Sequence, residues 1–132
     1  WLLDLASARQ LNLDPTGNAR RGIGGPASPG TSNFIIEPGH LTPKQLRKEI
    51  KEGLLITEFI GSSVNMITGD YSRGVSGFWI ENGEITYPIS EITIASNLKE
   101  MFLTMTAGND LETSHSIIAP SLRIESMTVA GN

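Results

Sequence analysis

The dipeptide Asn82-Gly83, with β-forming residues on both sides, constrains the fold of this chain more than any other sequence feature. Asparagine and glycine tolerate the positive φ angles of a type I′ turn, whose twist suits an antiparallel hairpin. The spacing predicts that residues 75–80 pair with residues 84–89. Phe78 then lies opposite Tyr87, and the two side chains share one face of a sheet.

Further strands are predicted around this hairpin. Residues 54–60 combine β-branched and aromatic side chains in a run long enough for a buried strand. Residues 92–94 form a short strand. Residues 121–129 form a last strand, in which the alternation of apolar and polar residues slips at Ser126, as is typical of a bulge. Residues 107–120 are predicted to be a polar turn region.

Two short helices are predicted, over residues 43–52 and 97–105. Thr42 precedes Pro43 and is followed by Gln45, which is a capping-box pattern. The second helix carries an apolar stripe that is typical of a core-facing helix. Its members are Leu98, Met101, Phe102 and Met105. The predicted fold class is α+β, mainly β, an antiparallel-sheet-rich domain with two short helices.

Residues 1–132 are predicted to form a single domain. The chain starts at Trp1 without an initiating methionine, which indicates a part of a longer protein. Residues 14–33 include eight glycines and prolines among twenty residues, so this segment is predicted to be a Gly/Pro-rich loop. Loops of this length either serve a function or act as solvated linkers, and the sequence leaves both interpretations open.

Composition and charge exclude several classes of function. The chain has no cysteine, which excludes disulfides and thiolate metal sites and, without a signal-peptide pattern, favours a cytoplasmic location. No apolar run reaches the roughly 20 residues of a membrane-spanning helix. The net charge is −4 and the basic residues are scattered, so direct nucleic acid binding is not expected. His40 and His115 have no metal ligands at suitable spacing, so no metal or catalytic site is predicted in this segment.

The segment from Gly61 to Gly74 is denser in small and polar residues than a plain connection between strands requires. One interpretation is a surface where the backbone approaches a bound peptide, with Asp70 and Arg73 orienting its polar groups. The other is a structural loop in which Asp70 accepts local backbone hydrogen bonds and Arg73 packs over an aromatic ring. The sequence leaves both open.

The same region resembles a known family. Residues 68–74 (TGDYSRG) and 76–85 (SGFWIENGEI) are similar to the signature block of the PmbA branch of the TldD/PmbA family. Shorter segments agree in the same order along nearly the whole chain. They include TGNA at 16–19, SPGTSN at 28–33, GND at 108–110 and PSLRI at 120–124. The resemblance implies that the chain is the C-terminal domain of a longer protein of this family.

The resemblance implies a two-subunit cytoplasmic peptidase that cleaves unfolded peptides, in a family that also carries the name modulator of DNA gyrase. A TldD-type subunit binds zinc there through a His-Glu-x-x-x-His helix and a downstream cysteine. Residues 111–119 of this chain lack that cysteine. The chain is therefore expected to be the non-catalytic subunit, without a cofactor of its own, in a heterodimer with a TldD-type subunit or in a homodimer. The alternative is a self-associating scaffold without a peptidase role.

A non-catalytic subunit of this kind is expected to wall the peptide cleft and to present strand edges or glycine-rich backbone to an extended peptide. The candidate cleft or interface residues lie in the loop 14–33 and around the signature block. They are Asn18, Gly24, Gly25, Asn33, Asn65, Asp70, Tyr71, Arg73 and Trp79.

Overall fold

The computed structural model describes residues 2–131, apart from the side chain of Ser62. These residues fall into two compact units, residues 2–35 with 113–118 and residues 36–112 with 119–131. Strands outnumber helices, and antiparallel pairing dominates, which confirms the predicted α+β, mainly β class. The single domain predicted for residues 1–132 stays a prediction. In chain order the elements are α1 (Leu5–Leu11), β1 (Ala19–Arg20), β2 (Ser28–Pro29), β3 (Phe34–Ile35), α2 (Pro43–Lys48), β4 (Glu52–Val64), β5 (Asp70–Glu81), β6 (Glu84–Asn97), α3 (Leu98–Thr104), β7 (Thr106–Ala107), β8 (Ile117–Ile118), β9 (Leu122–Arg123) and β10 (Thr128–Ala130).

The first unit contains α1, a helix that the sequence analysis missed. Asp4 caps this helix, because a carboxylate oxygen of Asp4 accepts the N–H of Ser7 at 2.6 Å. Asn12 ends it in the left-handed conformation, with φ at 52°. The prediction of only two helices was therefore wrong.

The predicted Gly/Pro-rich loop also lies in the first unit. Within it, β1 and β2 form a two-stranded antiparallel pair, and the remaining residues up to β3 are irregular. β3 pairs in parallel with β8. Because β8 falls inside residues 107–120, the prediction that this whole region is a polar turn was wrong for Ile117 and Ile118.

The second unit is built on a four-stranded antiparallel sheet with the strand order β10-β6-β5-β4. The β5–β6 hairpin turns at Asn82 and Gly83, whose φ angles of 50° and 83° confirm the predicted turn. Phe78 lies opposite Pro88 rather than Tyr87, because the register shifts by one residue just after Phe78. Proline has no N–H to give to the ladder and is tolerated where the pairing is irregular.

The remaining strands differ from prediction mainly in their ends. β4 contains the predicted strand 54–60 and is longer at both ends, and residues 92–94 belong to the long strand β6. The predicted last strand, 121–129, is divided into β9 and β10. Ser126 lies between them with φ at 56°, a conformation that does not continue a pleated strand. The prediction of one continuous strand was therefore wrong.

The helix α2 begins where the capping box predicts. The Thr42 hydroxyl accepts the N–H of Gln45 at 3.2 Å, and the side-chain oxygen of Gln45 accepts the N–H of Thr42 at 2.8 Å. α2 ends at Lys48 rather than at residue 52, because Glu52 already pairs with β5. Strand pairing therefore ends this helix earlier than predicted.

The helix α3 confirms the second predicted helix, with Asn97 at its N-cap. The predicted core-facing stripe holds only in part, since Met101 is 9% exposed and Phe102 is 64% exposed. Successive residues of an α-helix point about 100° apart. A helix that packs on its Met101 side therefore leaves Phe102 in solvent.

Each unit has its own buried residues. In the second unit the buried large apolar side chains are Leu46, Val75, Ile80, Ile94 and Met101. In the first unit they are Leu3, Ala8 and Ile118, together with the capping residue Asp4. Among the described residues, no helix has the length and apolar character needed to cross a membrane.

Candidate functional site

The turn between β4 and β5 leads into the signature block and is held by several hydrogen bonds. The side-chain oxygen of Asn65 accepts the N–H groups of Ile67 and Thr68, at 2.9 and 3.2 Å. The backbone carbonyl of Asn65 accepts the N–H of Gly69 at 2.7 Å, and Gly69 adopts a φ of 82°. Asn65 therefore stabilises this turn through both its side-chain oxygen and its backbone carbonyl.

The turn is also tied to the start of α3. Asn97 donates its side-chain N–H to the carbonyl of Thr68 at 3.0 Å, and Leu98 donates its N–H to the carbonyl of Gly69 at 2.7 Å. The side-chain oxygen of Asn97 accepts the N–H of Lys99 at 3.1 Å, which caps the helix. Asn97 thus joins the turn to α3, a role that the sequence predicted only as a cap.

Asp70 is held by its neighbours in the turn. Its carboxylate accepts the hydroxyl hydrogen bond of Thr68 at 2.6 Å. Its backbone carbonyl accepts the N–H of Asn65 at 2.9 Å. No ion pair among the described residues includes Asp70 and Arg73. The side chain of Asp70 therefore serves the turn itself.

Arg73 packs across the sheet. Its guanidinium carbon lies 4.9 Å from the centre of the Phe59 ring, and one terminal nitrogen donates to the carbonyl of Gly61. The arrangement places the cation over the ring face, where it is attracted by the aromatic quadrupole. Both Asp70 and Arg73 thus have structural partners, as the second interpretation of this segment expected, although Asp70 accepts from a hydroxyl rather than from a backbone N–H.

Trp79 and Tyr71 lie on β5 at different distances from the turn. Trp79 stacks on Tyr87, with ring centres 6.4 Å apart and planes inclined by 15°. Tyr71 is half-buried and lies opposite Val64 on β4 and Ser96 on β6. The structure therefore brings Asn65, Asp70 and Tyr71 together near the turn and places Trp79 towards the opposite end of β5.

The other candidate residues belong to the first unit. The carbonyl of half-buried Asn18 accepts the N–H of Gly30 at 2.8 Å, and the carbonyl of Gly25 accepts from the Arg21 side chain at 3.2 Å. Gly24 and Asn33 are exposed. The loop therefore has internal hydrogen bonds, and a role of its glycines in ligand binding stays a prediction.

The sequence analysis missed Arg123 as a site residue. One terminal nitrogen of Arg123 contacts Glu49 at 3.1 Å and the carbonyl of Leu46 at 3.2 Å, and the other contacts Glu125 at 2.7 Å. This cation lies at the C-terminal end of α2, where a positive charge is stabilising. It lines a polar cleft of about 750 Å³ with Lys51, Glu52, Glu81 and Asn82. No local pattern predicts it, because Arg123 and α2 are far apart in sequence.

The family-like segment 108–110 is held to the start of β9 by Asp110. Its carboxylate accepts the hydroxyl of Ser121 at 2.6 Å and the N–H of Ser121 at 3.0 Å. The hydrogen bond from the Ser121 hydroxyl is the largest effect on the pKa of Asp110 and lowers it; burial opposes this, and the backbone N–H of Ser121 lowers the pKa further by a smaller amount. The N–H of Asn109 donates to the carbonyl of Leu41 at 2.9 Å, which joins this segment to the chain before α2.

The acidic and histidine side chains of the described residues do not cluster as metal ligands. Nowhere in residues 2–131 do three or more histidine, aspartate or glutamate side chains converge in an arrangement that could hold a metal ion. His40 lies in the second unit and His115 in the first. The described residues therefore do not fit a metal on their own.

Comparison with protein families matches residues 1–131 to the family model described as PmbA/TldA metallopeptidase C-terminal domain. The chain is 48% identical over 132 residues to the metalloprotease PmbA of Escherichia coli O157:H7, covering 99% of this chain and 27% of that protein. It is 40% identical over 136 residues to a metalloprotease PmbA homolog of Haemophilus influenzae, covering 100% of this chain and 28% of that protein.

Solved structures show the same similarity. The crystal structure of TldE from Thermococcus kodakarensis superposes with a TM-score of 0.82 at 25% identity, over 99% of this chain and 31% of that one. A Thermotoga maritima protein described as a modulator of DNA gyrase superposes with a TM-score of 0.78 at 36% identity, over 98% of this chain and 30% of that one. The chain spans less than a third of the length of these relatives.

Proposed function

Because this chain belongs to the PmbA/TldD metallopeptidase family, whose C-terminal domain model it matches over residues 1–131, we propose that it is part of the non-catalytic subunit of a two-subunit peptidase. The substrates are unfolded peptides, and the zinc and the catalytic groups are supplied by a TldD-type partner. The observation that carries the proposal is the likeness to TldE over 99% of the chain.

The hydrogen bonds of the β4–β5 turn support a role of this turn as one wall of the peptide cleft rather than as a source of catalytic groups. Asn65 and Asn97 hold the turn and the start of α3 in one conformation through hydrogen bonds. A preorganised surface loses little conformational entropy when a peptide or a subunit binds to it. Asn65, Asp70, Tyr71 and Arg73 are therefore proposed as wall residues, and the aromatic pair of Trp79 and Tyr87 as a contact surface.

The Gly/Pro-rich loop of the first unit is proposed, by itself, as a candidate peptide-cleft or interface segment. Its candidates are Asn18, Gly24, Gly25 and Asn33. Glycine backbone lets another chain approach closely because there is no Cβ atom in the way. The internal hydrogen bonds of Asn18 and Gly25 support a defined loop conformation rather than a solvated linker.

The test is a peptidase assay on the full-length protein, alone and mixed with the TldD-type subunit of the same organism, with and without added zinc. An unstructured fluorogenic peptide and a folded protein serve as substrates. Hydrolysis of the peptide only in the mixture is expected. Hydrolysis by the protein alone would contradict the assignment of a non-catalytic role.

A second candidate function is self-association as a scaffold. The observation that favours it is the exposed apolar surface of α3, where Phe102 is 64% and Leu103 is 77% exposed. Exposed apolar surface of this kind favours protein contacts. A stable homodimer, together with no gain of hydrolysis when a TldD-type subunit is added, would support this candidate over the first.

A further inference from the structure

The strand β4 forms one edge of the four-stranded sheet, and β5 is the strand with which it pairs. An edge strand carries backbone N–H and C=O groups that can pair with another strand. Natural edges are often protected by bulges. β4 has register shifts after Ile56 and after Ile60, whereas the segment Glu52–Ile56 pairs regularly with β5. Glu52–Ile56 is therefore the stretch of this edge most suited to accept a further strand.

A row of three glutamates crosses the sheet at this end. Glu84 on β6 is directly opposite Glu81 on β5, and Glu81 is directly opposite Glu52 on β4. Directly paired residues in antiparallel strands have Cα atoms about 4.5 to 5.5 Å apart. All three glutamates are exposed, and none forms an ion pair within the described residues. Like charges opposite each other disfavour the pairing.

The row ends at the open edge, beside Glu52. Arg123 lines the same cleft as Glu52 and Glu81, but its guanidinium is bound to Glu49 and Glu125. Lys51 precedes Glu52 and so does not occupy a position in the row across the strands. On a strand added outside β4, the residue beside Glu52 would continue this row. That residue would face the Glu52 carboxylate, which has no cationic partner in the described residues.

We propose that Glu52–Ile56 binds an extended peptide as a fifth strand of the sheet, with a lysine or arginine of the peptide beside Glu52. This inference rests on the proposed function, since it assigns a docking strand and a charge preference to the unfolded peptide substrate. The backbone of β4 supplies the hydrogen bonds, independent of peptide sequence, and the glutamate row supplies the preference for a cation.

The side chains that neighbour Glu52 on β4 add a preference for an apolar residue of the peptide. Leu54 and Ile56 project to the same face of β4 as Glu52, because side chains alternate along a strand. Both are half-buried, and Leu54 lies opposite Trp79. A peptide in register therefore meets a carboxylate and then an apolar surface two positions further on. The favoured peptide carries a basic residue two positions from an apolar residue.

The test measures binding of fluorescent unstructured peptides to the full-length protein by anisotropy at low ionic strength. One peptide has a lysine two positions from a valine, and its partner has glutamate in place of lysine. A third is the lysine peptide with N-methyl groups on every backbone nitrogen of the docking stretch, which removes the N–H donors of both strand edges. The lysine peptide is expected to bind about two to five times more tightly than the glutamate peptide, as for an exposed ion pair. The methylated peptide is expected to lose binding.

Glu52→Gln removes the charge with little change of shape and is expected to abolish the preference for lysine. Glu37→Gln, at an exposed glutamate outside the sheet, is the matched control and is expected to keep it. Equal binding of all three peptides, an unchanged preference in Glu52→Gln, or no binding at all overturns the inference. The last result is expected if another part of the chain covers β4.

Failure of the docking-strand proposal can be distinguished from failure of the proposed subunit function. Peptide hydrolysis in the mixture with a TldD-type subunit, without a charge preference, overturns only the docking strand. A lysine preference that depends on Glu52, without hydrolysis in any mixture, supports the docking strand and contradicts the subunit role.

Discussion

At the scale of single residues, side chains that the sequence marked as candidates for ligand binding also have structural partners. Asn65 holds the β4–β5 turn, Asp70 accepts from Thr68, and Arg73 lies over Phe59. Residues with such partners are held in one rotamer, and a surface held in this way is suited to contact another chain at low entropic cost. The same holds for Asp110, whose carboxylate binds Ser121 through two hydrogen bonds.

Asp110 gives a prediction about pH. Its pKa is lowered in the folded chain, chiefly by the Ser121 hydroxyl. The stabilisation is therefore fully present above the unfolded pKa of about 3.9 and is lost as the pH falls through the lower folded pKa. Asp110→Asn is expected to lower the melting temperature at pH 7 and to have a smaller effect near pH 3.

The measurement for Asp110→Asn is thermal unfolding of both proteins across this pH range. Asp14→Asn, at an exposed position, serves as the control and is expected to change little at either pH. A difference between wild type and Asp110→Asn that stays constant from neutral to acid pH would contradict the role of the ionised carboxylate.

At the scale of elements, the hairpin turn and the end of α2 support each other. Asn82 and Gly83 donate their N–H groups to the carbonyls of Lys51 and Ile50, at 2.7 and 2.8 Å. The carbonyl of Gly83 accepts from the Arg47 side chain at 3.0 Å. The turn is thus fixed by its own φ angles and by the chain that follows α2.

Gly83→Ala is predicted to destabilise the protein, by about 1–3 kcal/mol. The φ of 83° is costly for alanine, and an added Cβ would lie 2.8 Å from the carbonyl oxygen of Lys48. Urea unfolding of Gly83→Ala and of Gly22→Ala measures the effect. Gly22 has nothing within 4 Å of an added Cβ and is the matched control. Equal stabilities of the two variants would show that the turn tolerates a side chain.

At the scale of the whole molecule, large apolar side chains are exposed in both units. They include Leu11, Phe59, Ile67 and Phe102. The chain also spans less than a third of the relatives that it matches. Exposed apolar side chains of this kind favour contacts with other protein surfaces.

Trp79→Ala is predicted to weaken either stability or subunit association. Trp79 is half-buried, opposite Leu54 and stacked on Tyr87. Loss of the stack and of its apolar contact is expected to cost about 1–2 kcal/mol. Thermal unfolding and sedimentation with a TldD-type subunit measure the two effects, and Trp79→Phe, which keeps an aromatic ring, is the control. Unchanged melting together with unchanged association would contradict the prediction.

The amino-acid sequence by itself determined the mainly β class, the Asn82-Gly83 turn and the capped start of α2. These depend on the φ preferences and hydrogen-bonding groups of residues close together in the chain. The tertiary structure alone decided the end of α2, the shift that places Phe78 opposite Pro88, the contacts of Arg123 with α2 and the pairing of Glu52 with Glu81. The end of α2, the contacts of Arg123 with α2 and the Glu52–Glu81 pair depend on elements that meet across long sequence separations, where no local pattern records which residues will face each other. The Phe78–Pro88 shift lies within the hairpin, where the turn residues set the turn but not the irregularities along the strands.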